Sequence, residues 1–291
     1  MGNILNKLKI VVWNVGFIDM QIEDFLQSNG KYHIEWMKHS YNDRFFADPF
    51  LLNEDEKNYI ILAEEYLFSE GKGRIVRLTV DKKSKMLRSN ERLIDTKYHL
   101  SYPFVYNDEI IVEQQKSGKW ISYDKTGKKR RIVAELGLID ATILNDGENE
   151  WVFATRIVKE KAEALRKLYR YKLIDGKVDN DSEMLVKENL IASRPAGNFF
   201  KINDSWYRAA QTSTETVYGE SVSICKIIEN NENEFAEKPV MVVNSHNEKR
   251  FNLGMHTFNP YKRTIIVDGF EMQSHPLQKV QYRLSIRQGK K

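Results

Sequence analysis

The chain has 291 residues, 41% of them hydrophobic, which is enough for a sizeable core. Charged residues make up 30% with both signs interspersed, and the net charge is only +4, so the balance gives no sign of a nucleic-acid partner. The single cysteine, Cys225, rules out an intrachain disulfide and suits a reducing compartment.

The N-terminal residues MGNILNKLKIVVWNVGF combine lysines with a short apolar run and no small-residue cleavage site, so no signal peptide is read. Met-Gly opens the chain, but Asn6 stands where a myristoylation signal needs Ser or Thr. No apolar stretch approaches ~18 residues, so no membrane span is expected. A cytoplasmic location follows as the expectation. A strand is predicted at 9–15 and a short helix near 19–27, from Ile18, Ile22, Phe25 and Leu26 at helical spacing.

From residue 45 onward a four-strand cycle repeats. FFADPFLL (45–52), YIILAEEY (59–66), RIVRLTVD (74–81) and ERLIDT (91–96) make the first. LSYPFVY (100–106), EIIVEQQ (109–115), KWISYDKTG (119–127) and RRIVAELG (130–137) make the second. The third runs from DATILND (140–146) through EWVFATR (150–156) and KLYRYKLIDG (167–176) to EMLVKENL (183–190). The fourth runs from RPAGNFFKIN (194–203) through SWYRAAQ (205–211) and SVSICKII (221–228) to PVMVVNS (239–245). The fifth has GMHTFNPYK (254–262), RTIIVDG (263–269) and VQYRLSIR (280–287), and lacks a fourth strand at its own end. YHIEWMKHS (32–40) has the pattern to supply it.

Four-stranded units recurring every ~40–60 residues mark propeller blades. The predicted fold is therefore all-β: a five-bladed β-propeller of four-stranded blades, with the ring closed by an N-terminal strand at about 32–40. The whole chain is read as one domain, with 1–30 as an extra strand and helix and 282–291 as a strand end and tail.

Inner strands of a propeller line its axis, so polar residues that interrupt them are informative. The first strands carry Asp48, Tyr102 (with His99 and Ser101 beside it), Asp140, Arg194 and His256 at corresponding places. The second strands end on Glu64 and Glu65, Glu113 and Gln114, Thr155 and Arg156, Arg208 and Gln211, and Asp268. Antiparallel pairing brings both sets to one rim. Paired carboxylates support general acid and base work on glycosidic bonds. Arginine forks suit phosphate or carboxylate. The expected ligand is a sugar carrying an anionic group, such as a sugar phosphate, with Arg156, Arg194 and Arg208 facing the carboxylates. Those arginines could equally neutralise the carboxylates in a structural network. No His/Cys cluster has zinc spacing and no Gly-rich phosphate loop precedes a helix, so neither metal nor cofactor is expected.

FFADPFLL, AEEY, YHLSYPFV, RPAGNFF, WYRAAQ, VYG, GMHTFN and IIVDG occur in this order. With them the chain resembles the N-terminal domain of plant glucosamine inositolphosphorylceramide transferases and bacterial relatives, over roughly residues 9–270. That domain is similar to five-bladed propellers of the arabinofuranosidase and levansucrase type. The resemblance implies Asp48 as base and Asp140 as the carboxylate that orients substrate. The acid of those hydrolases is a Glu on blade four, where this chain has Arg194, which leaves Glu113 or Glu64 to supply it. Many relatives read Pro-Glu where this chain has Val112-Glu113. The plant proteins carry their transferase site in a separate C-terminal domain with no counterpart here.

The expectation is a carbohydrate-active protein of surface polysaccharide or glycolipid assembly, acting in glycosyl transfer. Arg194 and Arg208 would clamp an anion, and His256 would bind a hydroxyl. Glu65, His99, Tyr102, Arg156, Gln211 and Asp268 complete the expected lining. The alternatives are a sugar-binding propeller assisting a partner enzyme, an inverting glycoside hydrolase, and a protein-interaction propeller.

Overall fold

A computed structural model describes residues 9–114, 116–156, 167–214 and 216–288. The chain opens with β1 (Lys9–Ile18), α1 (Ile22–Gln27) and β2 (Glu35–Trp36). Four blades follow in chain order. The first is β3 (Arg44–Glu54), β4 (Asn58–Leu67), β5 (Lys72–Asp81) and β6 (Leu87–Ile94). The second is β7 (Leu100–Tyr106), β8 (Glu109–Gln114), β9 (Lys119–Tyr123) and β10 (Lys129–Ala134). The third is β11 (Leu138–Asn145), β12 (Glu150–Arg156), β13 (Lys167–Ile174) and β14 (Lys177–Glu188). The fourth is β15 (Phe200–Ile202), β16 (Ser205–Thr212), β17 (Ser221–Asn230) and β18 (Phe235–Val243). The fifth blade joins both ends of the chain, in the order β19 (Phe258–Tyr261), β20 (Thr264–Ser274), β1, β2. The architecture is a five-bladed β-propeller.

Ring closure differs in detail from the sequence reading. The third strand of the fifth blade is β1, not 280–287. Its ten residues pair with β20 from Lys9 opposite Ser274 to Ile18 opposite Ile265. That ladder occupies the outer edge of β20 and leaves no place there for a C-terminal strand. Residues Pro276–Gln288 instead form α2. Proline has no N–H for a ladder and suits the first helical turn, where that donor would be unpaired anyway. The fourth strand falls within 32–40, as expected, but is only two residues long, with Trp36 opposite Gly16 and Glu35 opposite Phe17. The helix expected near 19–27 is α1. The predicted tail at 289–291 and the first eight residues lie outside the described residues.

Apolar clusters fill the seams between blades. Phe50, Tyr102, Phe104, Trp120 and Tyr171 belong to one buried cluster across the first three blades. Phe25 of α1 packs with Phe200 and Phe258 in another, so the helix covers the fourth and fifth blades.

One backbone device recurs at the axis. In the first three blades the pairing of first and second strand skips at the same place. Two residues of the first strand oppose one of the second between Ala47 and Phe50, between Ser101 and Phe104, and between Ile139 and Thr142. Each is a β-bulge, which bends the strand and re-aims a side chain. The bulged residues Asp48, Tyr102 and Asp140 have φ of 50°, 48° and 50°. Left-handed backbone costs a non-glycine residue roughly 1–2 kcal/mol, so surrounding contacts must hold it in place. Pro49 and Pro103 follow two of the bulges, where a missing N–H leaves no donor unpaired.

Candidate functional site at the propeller axis

The bulges turn Asp48, Tyr102 and Asp140 to the inner rim, where β4 and β8 bring Glu64 and Glu113 near their ends and β20 brings Asp268 from its middle. Carboxylates and bulge amides interlock from blade to blade. Asp268 accepts the Asp48 N–H at 3.2 Å, Asp48 accepts the Tyr102 N–H at 3.1 Å, and Glu113 accepts the Asp140 N–H at 3.0 Å. These bonds supply the contacts that the left-handed backbone requires.

The fifth blade contributes an ion pair. His256 Nδ1 lies 2.6 Å from Asp268 Oδ2, and His256 Nε2 lies 3.8 Å from Asp48 Oδ1. Asp268 also accepts the N–H groups of His256 and Thr257, both at 2.9 Å, and the Thr257 hydroxyl at 2.9 Å. Burial opposes charge on both partners, but each stabilises the other. The imidazole rises to about 9, and the Asp268 carboxyl falls below its usual range. Trp13 stacks on the imidazole with ring centres 4.0 Å apart.

Three carboxyls move the opposite way. Burial first, and then the charges of Asp140 and Asp268 against the pull of His256, lifts Asp48 to about 6. Burial and then Asp140 lift Glu113 to about 8. Burial, then the Asp48 and Glu113 charges, raise Glu64 well above the carboxylate range. His99 Nδ1 accepts the Gly73 N–H at 2.9 Å, and its Nε2 lies 3.5 Å from Glu64 Oε1. Burial and the Lys116 charge hold His99 down at about 4, so it is neutral and presents Nε2–H to Glu64.

Across the rim, Asp140 Oδ2 accepts Arg194 Nε at 2.7 Å, Arg194 Nη2 at 2.5 Å and Gln211 Nε2 at 2.7 Å. Glu113 Oε1 and Gln211 Oε1 are buried and have no partner. Tyr102 lies deeper. Its hydroxyl meets Thr142 Oγ1 of the third blade at 2.9 Å, and its ring meets Phe50 of the first.

Nine residues expected in the site therefore converge: Asp48, Glu64, His99, Tyr102, Glu113, Asp140, Gln211, His256 and Asp268, with Arg194 among them as a tenth. Three do not. Glu65 follows Glu64 in the strand and points to the other face, where Arg44 at 2.8 Å, Arg74 at 2.6 Å and Asn90 at 2.5 Å enclose it. Arg208 is fully buried, forked onto Glu237 at 2.6 and 2.8 Å, and donates to the carbonyls of Ala192 and Ser193. Arg156 pairs with Glu183 on the outer strand β14. The anion clamp expected from Arg194 and Arg208 thus reduces to Arg194, itself committed to Asp140.

Trp13, Tyr218 and Thr257 belong to the site and were not among the expected residues. Tyr218 stands edge-on to His256 at 5.5 Å, under the Arg194 guanidinium at 5.1 Å, and its ring is 42% exposed. The VYG string that contains it was visible, but nothing local tied it to the axis. Trp13 was hidden because its strand enters the fifth blade from the other end of the chain.

One ligand atom each from Asp48, His256 and Asp268 falls within a 4.8 Å span, close enough for a cation. The bond from Nδ1 to Asp268 and the raised imidazole make His256 a donor here rather than a ligand, and that pairing accounts for the cluster. A cleft of about 760 Å³ lies away from the axis, on the flank of the fifth blade, lined by Trp36, His39, Arg250 and Phe251 among others.

Fold and site together define a five-bladed propeller whose axis carries a blade-to-blade network of carboxyls, two imidazoles and one guanidinium. The sequence profile of the family described as glucosamine inositolphosphorylceramide transferase 1, N-terminal, matches residues 34–264, and the chain belongs to that family. No curated protein matches the sequence. Among solved structures, an exo-1,5-alpha-L-arabinanase from a bovine ruminal metagenomic library superposes with a TM-score of 0.51 at 9% identity, over 78% of this chain and 93% of that one. The GH43_1 enzyme from Xanthomonas citri, complexed with xylose, gives 0.51 at 9% identity, over 86% and 91%. At such identity these likenesses establish the fold alone.

Proposed function

We propose that the axial network is a carbohydrate site and that the chain acts in sugar transfer during glycolipid or surface-polysaccharide assembly. One observation carries this reading. Buried carboxyls of neighbouring blades meet at one rim, Asp48 accepting the Tyr102 N–H and Glu113 the Asp140 N–H, and burial raises Asp48 to about 6 and Glu113 to about 8. Such separation distinguishes a general base from a general acid. Asp48 would take the proton from an attacking hydroxyl, and Glu113 would give one to the leaving oxygen. Asp140, held by Arg194 and Gln211, would orient the sugar, and the exposed Tyr218 ring offers it an apolar face.

Five carboxyls against one guanidinium and one imidazolium favour a sugar that donates hydrogen bonds through hydroxyls over one that brings an anionic group. Screening nucleotide-sugar donors, and furanosides for release of reducing sugar, tests the reading. Turnover should fall at least ~100-fold in Asp48→Asn and in Glu113→Gln, with melting temperature close to wild type or above it. Full activity in Asp48→Asn would overturn the assignment.

A second reading has its own support. The carboxylates already serve inter-blade hydrogen bonds and are less than a tenth exposed. This suits a sugar-binding propeller that presents substrate to a partner enzyme. Calorimetric binding of a sugar with no turnover of any donor would favour it.

A further inference from the structure

α2 leaves three apolar side chains exposed along one side. It docks by one side only. Tyr282 packs against Tyr66 with ring centres 6.2 Å apart, and Ser285 Oγ donates to the Phe68 carbonyl at 3.3 Å. Gly71 permits this approach, since a Cβ there would stand 2.5 Å from Ser285 Oγ. The opposite side carries Leu277, Val280 and Leu284, which are 76%, 54% and 52% exposed. Spacings of three, four and seven put them in one stripe.

The charge along this helix has a single sign. Its residues 276–288 hold Lys279, Arg283 and Arg287 and no acidic residue, although the whole chain has 45 basic and 41 acidic residues. A water-facing helix commonly mixes both signs, and a protein-packed helix buries its leucines. An exposed apolar stripe on a helix whose charged residues are all basic, with Gln278 and Gln281 among its uncharged polar residues, matches the interface of an anionic bilayer, where apolar side chains enter the acyl boundary and cations meet headgroups. Among the described residues no helix is long and apolar enough to cross a membrane, so such a helix would lie in the surface.

Its position gives the contact a consequence. α2 follows directly on β20, the second strand of the fifth blade, and settles on the turn after β4. Glu64 lies near the end of β4, so the turn that α2 covers adjoins the rim that carries the axial carboxyls. Tyr66, which α2 covers, packs against His99 at 5.9 Å, and His99 faces Glu64.

We propose that α2 docks the propeller onto anionic lipid, with the axial site turned toward the membrane surface. The docking does not rest on the sugar-transfer reading; only the use made of the orientation does.

Flotation with phosphatidylcholine vesicles, with and without phosphatidylglycerol, tests the proposal on the full chain. The wild type should float only with anionic vesicles, and less as salt rises. Replacing Leu277, Val280 and Leu284 together by Ser should weaken binding at least ~10-fold, and Lys279→Glu should weaken it roughly fivefold or more. If the triple variant fails to fold, Lys279→Glu alone decides. Asp48→Asn should float like the wild type, which separates this result from the fate of the catalytic reading. The proposal is overturned if the wild type ignores anionic vesicles, or if folded variants bind undiminished. A dimer that the triple variant dissolves, with no vesicle binding, would also overturn it and assign the stripe to a second copy of the chain.

Discussion

Glu113 Oε2 accepts the backbone N–H of Asp140 at 3.0 Å, across the seam between the second and third blades. The same relation joins Asp268 to Asp48 at 3.2 Å across the fifth and first. A carboxyl thus holds the strained bulge of the next blade, and the bulge in turn presents another carboxyl to the axis. Scaffold and site share the same atoms, so a substitution at the rim should register in both stability and ligand chemistry.

The protonation of Glu113 gives a pH-dependent test. The folded carboxyl keeps its proton to about pH 8, against a reference of 4.5. The folded state therefore binds more protons in that window, and wild-type stability falls as pH rises through it. Glu113→Gln mimics the protonated form and can still accept the Asp140 N–H. Its melting temperature should match wild type near pH 5 and exceed it by at least ~2 °C near pH 8.5, as ~1 kcal/mol produces in a chain of this size. Scanning calorimetry across pH reads the difference. Parallel curves would show that Glu113 is ionised in the fold.

His256 titrates with the same sign for a different reason. Its folded value of about 9 lies above the reference 6.5, so the stability it contributes is complete below pH 6.5 and lost as pH rises through 9. His256→Gln should destabilise by roughly 3–5 kcal/mol at pH 6, because Asp268 and Asp48 lose their buried cation. The deficit should shrink toward pH 9.5. Urea unfolding at the two pH values checks this, and a constant deficit would contradict the ion pair.

The buried arginines should separate cleanly. Arg208→Met leaves Glu237 charged and buried, and should lower stability by about 3–5 kcal/mol. The double variant with Glu237→Met should recover most of that loss, with ligand binding intact throughout. Arg194→Met should instead impair sugar binding or turnover more than ~10-fold, since it frees Asp140 at the rim itself. Thermal shift and ligand titration on the three variants distinguish the two arginines.

Gly73 is fixed by close approach. A Cβ there would lie 2.4 Å from Glu64 Oε1 and 2.6 Å from the Leu100 carbonyl. Gly73→Ala should displace Glu64 and cost roughly 1–3 kcal/mol, the range for overpacking. Glu64→Ala in the same chain should relieve only the part of that cost that comes from the Glu64 carboxyl and leave the clash with the Leu100 carbonyl, and a denaturation cycle over the four proteins measures the coupling.

Much of this protein was legible in the sequence because propeller blades are local. Alternating apolar residues and turn residues mark each strand within its own window, so the blade order followed from periodicity. Asp48, Tyr102 and Asp140 announced themselves as polar breaks at one repeating place. Two kinds of feature were decided only in three dimensions. The partner of β20 was one, because residues 9–18 and 280–287 both alternate acceptably, and only competition for one sheet edge sends the first into the blade and the second into α2. The aim of side chains was the other. Glu64 and Glu65 are identical neighbours in sequence, yet the two-residue period of a strand sends one to the axis and the other into a cage of Arg44 and Arg74. Arg194 and Arg208 likewise differ only in which carboxylate tertiary packing puts within reach, Asp140 on the rim or Glu237 on the outermost strand.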